Sequence, residues 1–260
     1  MYCGRKVDRP LILYGYGKLG HLAEEIFREL KIPVYGVMDN KWSGAEAKFQ
    51  MLYAPTDALV AVCVASSPYR PIYDFLVAQG WAEENIVPVY DIFLAYPECG
   101  IGSGWFGGPI TEEVNKHSFH VMYKFKDLPS RIHYAAFLDW RISRIETPFK
   151  IEELHRHPLP STLADIRRRQ RVDMFADAPM KEISIHNEGC ELKTLEENMH
   201  LFIKHRPKIE VSVYHSKDGL YKIERFLMDS LKDYTFKFRL HAYMGQGAYI
   251  YCTPKERGEG

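Results

Sequence analysis

The chain has 260 residues, enough for one large domain or two small ones. Lys plus Arg and Asp plus Glu both number 34, so the formal charge is zero and nothing in it pulls the chain toward nucleic acid or acidic membranes. Apolar residues make up 46% and charged residues 26%, as in an ordinary globular protein. No stretch reaches the roughly 18 apolar residues of a membrane span, and the opening MYCGRKVDRP lacks the apolar core of a secretory signal. Cys3, Cys63, Cys99, Cys190 and Cys252 are scattered, with no CxxC pair, which reads as reduced thiols in a cytoplasmic compartment.

Residues 10–93 alternate strand and helix signals. Pro10 to Tyr14 is a short apolar run ending in Gly15, the pattern of a buried strand. From Lys18 to Leu30 the apolar residues Leu19, Leu22, Ala23, Ile26, Phe27 and Leu30 recur at helical spacing. Val34 to Met38 and Leu59 to Ala65 read as strands, Pro71 to Gln79 as a helix, and Asn85 to Tyr90 as a fourth strand. Such alternation implies a parallel sheet. Residues 97–109 are glycine-rich and read as a hinge. Residues 110–143 are helical in pattern, most clearly Ser130 to Ile142. Residues 144–180 are poorly patterned, contain the break at Pro148 and hold no glycine.

The last 80 residues are regular again. Glu182 to His186 and Lys208 to Tyr214 read as strands, and Cys190 to His205 and Gly219 to Leu231 as helices. Thr235 to Tyr243 and Ala248 to Thr253 read as two strands joined around Met244 to Gly247. The domains expected are 1–96, a Rossmann-like unit; 97–145, a hinge and helical connector; and 146–260, a second α/β unit.

Two constellations carry chemistry. Gly15-Tyr16-Gly17-Lys18-Leu19-Gly20 is a G-x-G-x-x-G between a strand and a helix, with Asp39 at the end of the second strand. Gly15 permits the tight turn, Gly17 lets a phosphate approach, Gly20 lets the helix pack, and the helix N-terminus offers free N–H groups to an anion. Asp39 could hold ribose hydroxyls. The alternative is a glycine turn that only packs. About four strands precede the hinge, a mononucleotide-sized half, which disfavours NAD-dependent redox chemistry. The second constellation lies at strand ends. Tyr214-His215 closes a strand where open α/β sheets place ligands, and His215 suits a general base, with a hydrogen-bonded structural histidine as the alternative. Glu188 and Glu191 open a helix, where the macrodipole favours carboxylates. His155-x-His157 lacks a Cys partner or third ligand and reads as a polar loop, so no metal site is expected. Arg167 to Arg171 reads as a solvated helix face.

Residues 11–93, through LYGYGKLG, YGVMDN, VCVASSPYR and NIVPVYDIF, resemble the small Rossmann-like domain that precedes some FkbM-type methyltransferases. A related domain begins certain sugar acyltransferases, where it binds a nucleotide sugar. Residues 172–255 resemble the C-terminal half of the FkbM-type domain: VDMFADAPMKEISIHNEGCELKTL, then PKIEVSVYHSKDGLYKI, then AYIYCTPK. SRIHYAAFLDWR, at 130–141, looks like that family's helical connector. In two respects the chain departs from the pattern. His186 stands where the family has Asp, with Asn187 replacing an apolar residue. The family's glycine-rich cofactor strand and its acidic partner would have to fit within 144–180, which is short and without glycine.

The resemblance implies an α/β fold: an N-terminal Rossmann-like parallel sheet, a helical connector, and a C-terminal, truncated class I methyltransferase-like sheet. It implies a divergent methyltransferase moving a methyl group from S-adenosylmethionine to an oxygen of a sugar or other small molecule. His215 or His186 would take the proton and Glu188 would position the acceptor. The alternative is a non-catalytic protein whose N-terminal domain holds a nucleotide or nucleotide sugar through Gly15, Gly17, Gly20 and Asp39. No nucleic-acid or membrane partner is expected. The strand Glu182 to His186 is expected at a sheet edge, covered either by 144–180 with Ile151, Leu154 and Leu163 as apolar anchors or by a second copy of the chain, the homo-oligomer being slightly favoured. A merged sheet, with the N-terminal strands completing the C-terminal one, is the architectural alternative.

Overall fold

A computed structural model describes residues 4–39, 57–99, 111–151, 163–164 and 180–257. The chain divides into two compact units, one of residues 3–103 and 157–165, the other of residues 1–2, 104–156 and 166–260. Among the described residues no helix is long and apolar enough to cross a membrane.

The first unit carries β1 (Leu11–Tyr14), α1 (Lys18–Glu29), β2 (Val34–Met38), β3 (Leu59–Val62), α2 (Tyr69–Ala78), β4 (Ile86–Pro88) and α3 (Val89–Leu94). The strands form a parallel sheet in the order β2-β1-β3-β4. β1 and β3 are buried along their whole length, as expected of central parallel strands covered on both faces. The fourth strand is shorter than expected. It stops at Pro88, and Val89 to Leu94 turn into a helix that buries Val89, Ile92 and Phe93. An unbroken apolar run has no period by which to separate the two states.

The second unit carries α4 (Glu112–Lys124), α5 (Leu128–Ser143), β5 (Glu182–Ile185), α6 (Glu191–His205), β6 (Lys208–Ser212), α7 (Lys222–Ser230), β7 (Tyr234–Leu240) and β8 (Ala248–Pro254). Its sheet runs β5-β6-β8-β7, with β5 and β6 parallel and β8 antiparallel to both its neighbours. The two sheets are separate, so the N-terminal strands do not complete the C-terminal sheet.

The helices expected to act as a connector belong to this second unit. Thr111 caps α4 by accepting from the Val114 amide, and Asp127 caps α5 by accepting from the Ser130 amide. Helix α5 then buries Tyr134 and Phe137 against Phe238 of β7, with ring centroids 5.1 Å and 5.5 Å from it. The same helix closes the outer edge of β7. The Phe238 amide donates to Ser130 Oγ and the Leu240 amide to His133 Nδ1, both at 2.9 Å. Side chains thereby take up strand donors that would otherwise invite another chain. At the other end β5 is the terminal strand, and no described strand pairs with its outer side.

Candidate functional site

The glycine turn of the first unit separates into two kinds of glycine. Gly15 has φ +91°, and a Cβ there would lie 2.3 Å from Val64 Cγ2. A Cβ on Gly20 would lie 2.3 Å from the Gly15 carbonyl oxygen. Both positions are therefore closed by packing. Around Gly17 there is nothing within 4 Å, so its surroundings are open to an approaching group. Asp39, at the end of β2, accepts from the Tyr16 amide through Oδ2 at 2.7 Å. The carboxylate expected to reach a ribose thus also fixes the turn.

In the second unit the structure brings together the three residues expected to be catalytic. His186 follows β5, His215 follows β6, and Glu188 lies in the turn leading into α6. Because β5 and β6 are parallel neighbours, their carboxyl ends open on the same side. Glu188 adopts φ +44° and Gly189 φ +102°. This left-handed pair turns the chain sharply, and a non-glycine residue there costs on the order of 1 kcal/mol or more. Glu188 Oε1 lies 3.2 Å from His186 Nε2, and Oε2 lies 3.3 Å from His215 Nε2. The first contact is a hydrogen bond. The second is close in distance but misaligned, so the buried His215 Nε2 has no hydrogen-bond partner. The imidazole centroids are 4.5 Å apart.

The outer nitrogens are held from behind. His215 Nδ1 meets Glu191 Oε1 at 2.5 Å, and His186 Nδ1 meets the Tyr249 hydroxyl at 2.6 Å. Glu191, 1% exposed, also accepts from the Gly189 amide at 2.8 Å, the Asn187 amide at 3.2 Å and Ser212 Oγ at 3.0 Å. Burial is the largest single influence on these groups and opposes charge on each, but opposite charges together outweigh it. Glu188 and Glu191 raise His215 above the ordinary imidazole value, and His215 holds both carboxylates below theirs, joined at Glu188 by His186.

Sequence pattern alone does not single out Arg141 or Tyr249. Arg141 of α5 is fully buried and donates to the carbonyls of Tyr214 at 2.6 Å and Ser216 at 3.5 Å, fixing the backbone on both sides of His215. Burial, with Arg144 nearby, pushes its pKa down to about 9. Its one signal is a cation at helical spacing from Tyr134, Phe137 and Leu138. Glu224 of α7 is also fully buried, and neither carboxylate oxygen has a hydrogen-bond partner. Burial raises its pKa well above the usual carboxylate value, with its own backbone and Arg141 opposing.

A folded pKa above the unfolded one means that the folded protein keeps a proton the unfolded chain has lost. Stability therefore falls as pH rises from the ordinary carboxylate range toward the raised folded value. Glu224→Gln is expected to flatten that fall and to gain on the wild type as pH increases. Urea melts across this pH range check it. Parallel profiles would show that Glu224 is ionised in the folded state.

No family model matches the chain, and no curated protein sequence matches it. Among solved structures it is similar to methyltransferase FkbM from Methylobacillus flagellatus KT, with a TM-score of 0.55 and 12% identity, over 95% of this chain and 91% of that one. At that identity the likeness speaks for architecture, and it agrees with the mixed α/β topology built above. The chain has the fold of an FkbM methyltransferase.

Proposed function

We propose that the second unit, on its methyltransferase-like scaffold, binds and activates a hydroxyl group of a sugar or other small molecule. The observation that carries this reading is the convergence of His186, Glu188 and His215 at the carboxyl ends of two adjacent parallel strands, where open α/β sheets take their ligands. An imidazole whose far nitrogen is held by a carboxylate is suited to accept a hydroxyl proton. Glu191 holds His215 in this way, and Glu188 is placed to orient the incoming oxygen.

On this fold the resemblance names S-adenosylmethionine as the methyl donor. The residues present do not fit it. The described sheet ends at β5, and the sequence from 144 to 180 offers no glycine for a cofactor loop. The proposed site therefore ends at hydroxyl activation and includes no methyl-transfer step. The open surroundings of Gly17 support a second reading, in which the first unit binds the phosphate of a nucleotide or nucleotide sugar at the start of α1.

Calorimetry of the full-length protein against S-adenosylhomocysteine and a panel of nucleotide sugars, with imidazole proton resonances recorded in parallel, tests these readings. The expected result has three parts. S-adenosylhomocysteine does not bind more tightly than about 100 µM, roughly 5.5 kcal/mol. A hydroxylated ligand shifts the His186 and His215 resonances. Gly17→Val weakens nucleotide-sugar binding at least tenfold. Tight S-adenosylhomocysteine binding would restore methyl transfer as the function. Unmoved resonances across the panel would sink the hydroxyl site, and equal binding by Gly17→Val would place the nucleotide elsewhere.

A further inference from the structure

We propose that His186, Glu188 and His215 bind a divalent transition-metal ion of the zinc class, with Nε2 of each imidazole and one oxygen of Glu188 as ligands. The proposal rests on reading this cluster as the ligand-facing site of the second unit and deepens it: with both Nε2 atoms taken up as ligands, the ion rather than an imidazole would activate the bound hydroxyl.

Four observations point to a cation rather than to protons alone. First, the spacing fits. The three ligand atoms lie within 4.8 Å of one another. Zn²⁺ sits about 2.0–2.2 Å from nitrogen and oxygen ligands, which puts tetrahedral neighbours about 3.3 Å apart. Glu188 stands 3.2 Å from His186 Nε2 through Oε1 and 3.3 Å from His215 Nε2 through Oε2, so each ring meets that spacing with a different oxygen, and a rotation of the carboxylate brings one oxygen to serve both.

Second, both imidazoles are held as metal-bound imidazoles are held. The nitrogen away from the metal normally meets a carboxylate, a carbonyl or another polar oxygen, which fixes ring and tautomer. Here Glu191 meets His215 Nδ1 and Tyr249 meets His186 Nδ1. Third, His215 Nε2 is buried, faces Glu188 and has no hydrogen-bond partner. Buried polar atoms are rarely left so, and a metal bond would satisfy it.

Fourth, Glu188 and Glu191 bring two carboxylates into a site where the residues are at most 9% exposed, a buried concentration of acidic groups that one divalent ion offsets.

The donor set selects the metal. Two imidazoles and one carboxylate suit Zn²⁺, Co²⁺, Fe²⁺ or Mn²⁺ better than Mg²⁺ or Ca²⁺, which prefer all-oxygen shells. Three protein ligands leave a position open, the arrangement of reactive rather than purely structural zinc sites. A ligand hydroxyl or water would take that place. No ligand spacing in the chain announces the site, because one and then 26 residues separate the ligands, on two strand ends that only the parallel β5–β6 pairing unites.

The test uses the full chain, freed of metal with a chelator and titrated with Co²⁺. One ion per chain should bind with visible d–d absorption and be displaced by stoichiometric Zn²⁺. His186→Ala should weaken binding at least a hundredfold, and Tyr249→Phe, which changes only a positioning residue, about tenfold. His215 also pairs with Glu191, so Glu188→Gln serves as the conservative ligand variant. It should weaken binding at least tenfold while circular dichroism reports an intact fold. His200→Ala, an exposed histidine, controls for surface binding and should bind as the wild type. Absent d–d bands overturn the proposal, as do bands that persist in both His186→Ala and Glu188→Gln. The functional reading fails separately. Imidazole shifts with a hydroxylated ligand in the metal-free protein would leave it standing without the metal. Co²⁺ binding with no response to any ligand would do the reverse.

Discussion

Replacing Glu191 by Ala is expected to destabilise the second unit by about 3–5 kcal/mol, the cost of breaking a buried, charged partnership from one side. Four donors converge on this carboxylate: the Asn187 and Gly189 amides, Ser212 Oγ and His215 Nδ1. Truncation strips the two part-buried amides of this acceptor, while Ser212 Oγ and His215 Nδ1 keep each other at 3.1 Å and Ser212 Oγ also the Ile185 carbonyl at 3.4 Å; each buried group left unsatisfied costs about 1–3 kcal/mol before relaxation. It also removes the clamp between the start of α6 and the end of β6. Glu191→Gln keeps an acceptor oxygen and loses the charge, so a smaller loss is expected. Urea unfolding followed by near-ultraviolet circular dichroism, where the buried Trp140 reports on this unit, measures both. A loss below about 1 kcal/mol for the Ala variant would mean that water replaces the carboxylate and the clamp is dispensable.

The Gly219→Ala variant is expected to lose about 3 kcal/mol or more, at the upper end of what overpacking costs. A Cβ at this position would stand 1.7 Å from the Val213 carbonyl oxygen and 2.5 Å from its carbon. Neither contact can be relieved by rotating a side chain, because the obstacle is backbone. The chain leaving β6 must move, and Tyr214 and His215 move with it. The variant should therefore also perturb the His215 imidazole resonance. Gly36→Ala is the contrasting case. Its nearest neighbour would be Ile12 Cγ1 at 4.0 Å, an ordinary contact, and melting should change little. A Gly219→Ala protein that melts like the wild type would show that the 217–220 turn adapts without cost.

Most elements are legible in the sequence because their burial is periodic. The spacing predicts helix α1 from Lys18 to Leu30, and it runs Lys18–Glu29, since Leu22, Ala23, Ile26 and Phe27 form one buried stripe. The strand expected through Tyr243 stops at Leu240. The His241 amide turns instead to the Gly247 carbonyl, closing the loop to β8. Within the site, His186 and His215 are legible as polar residues at strand ends, and Glu188 as part of a motif. What Glu191 does is not legible, because three of its four donors depend on the turn and strand geometry around it. Tyr249 is hidden by topology. It stands opposite Ser212 only because β8 inserts beside β6, and no local spacing announces that insertion. The expected role of 144–180 as a cover for the β5 edge falls mostly outside the described residues. Leu163, one of its expected anchors, donates its amide to Glu25 of α1 in the first unit.

The position of β8 has a consequence for how the molecule is made. It is the last strand in chain order, yet it lies between β6 and β7. A ribosome therefore delivers β5, β6 and β7 before the strand that joins them exists. During that interval a slot stands open between β6 and β7, with ladder groups exposed on both sides. At about 5–20 residues per second, the stretch from Leu240 to Pro254 takes about 1–3 s to appear. Over those seconds the nascent chain presents a template that chaperones are suited to shield and that a neighbouring nascent chain could invade. Tyr249 arrives with β8, so the His186 ring acquires its anchor only when the slot is filled. The site matures last, and a lesion that delays strand insertion would yield chains with native helices and an unassembled site.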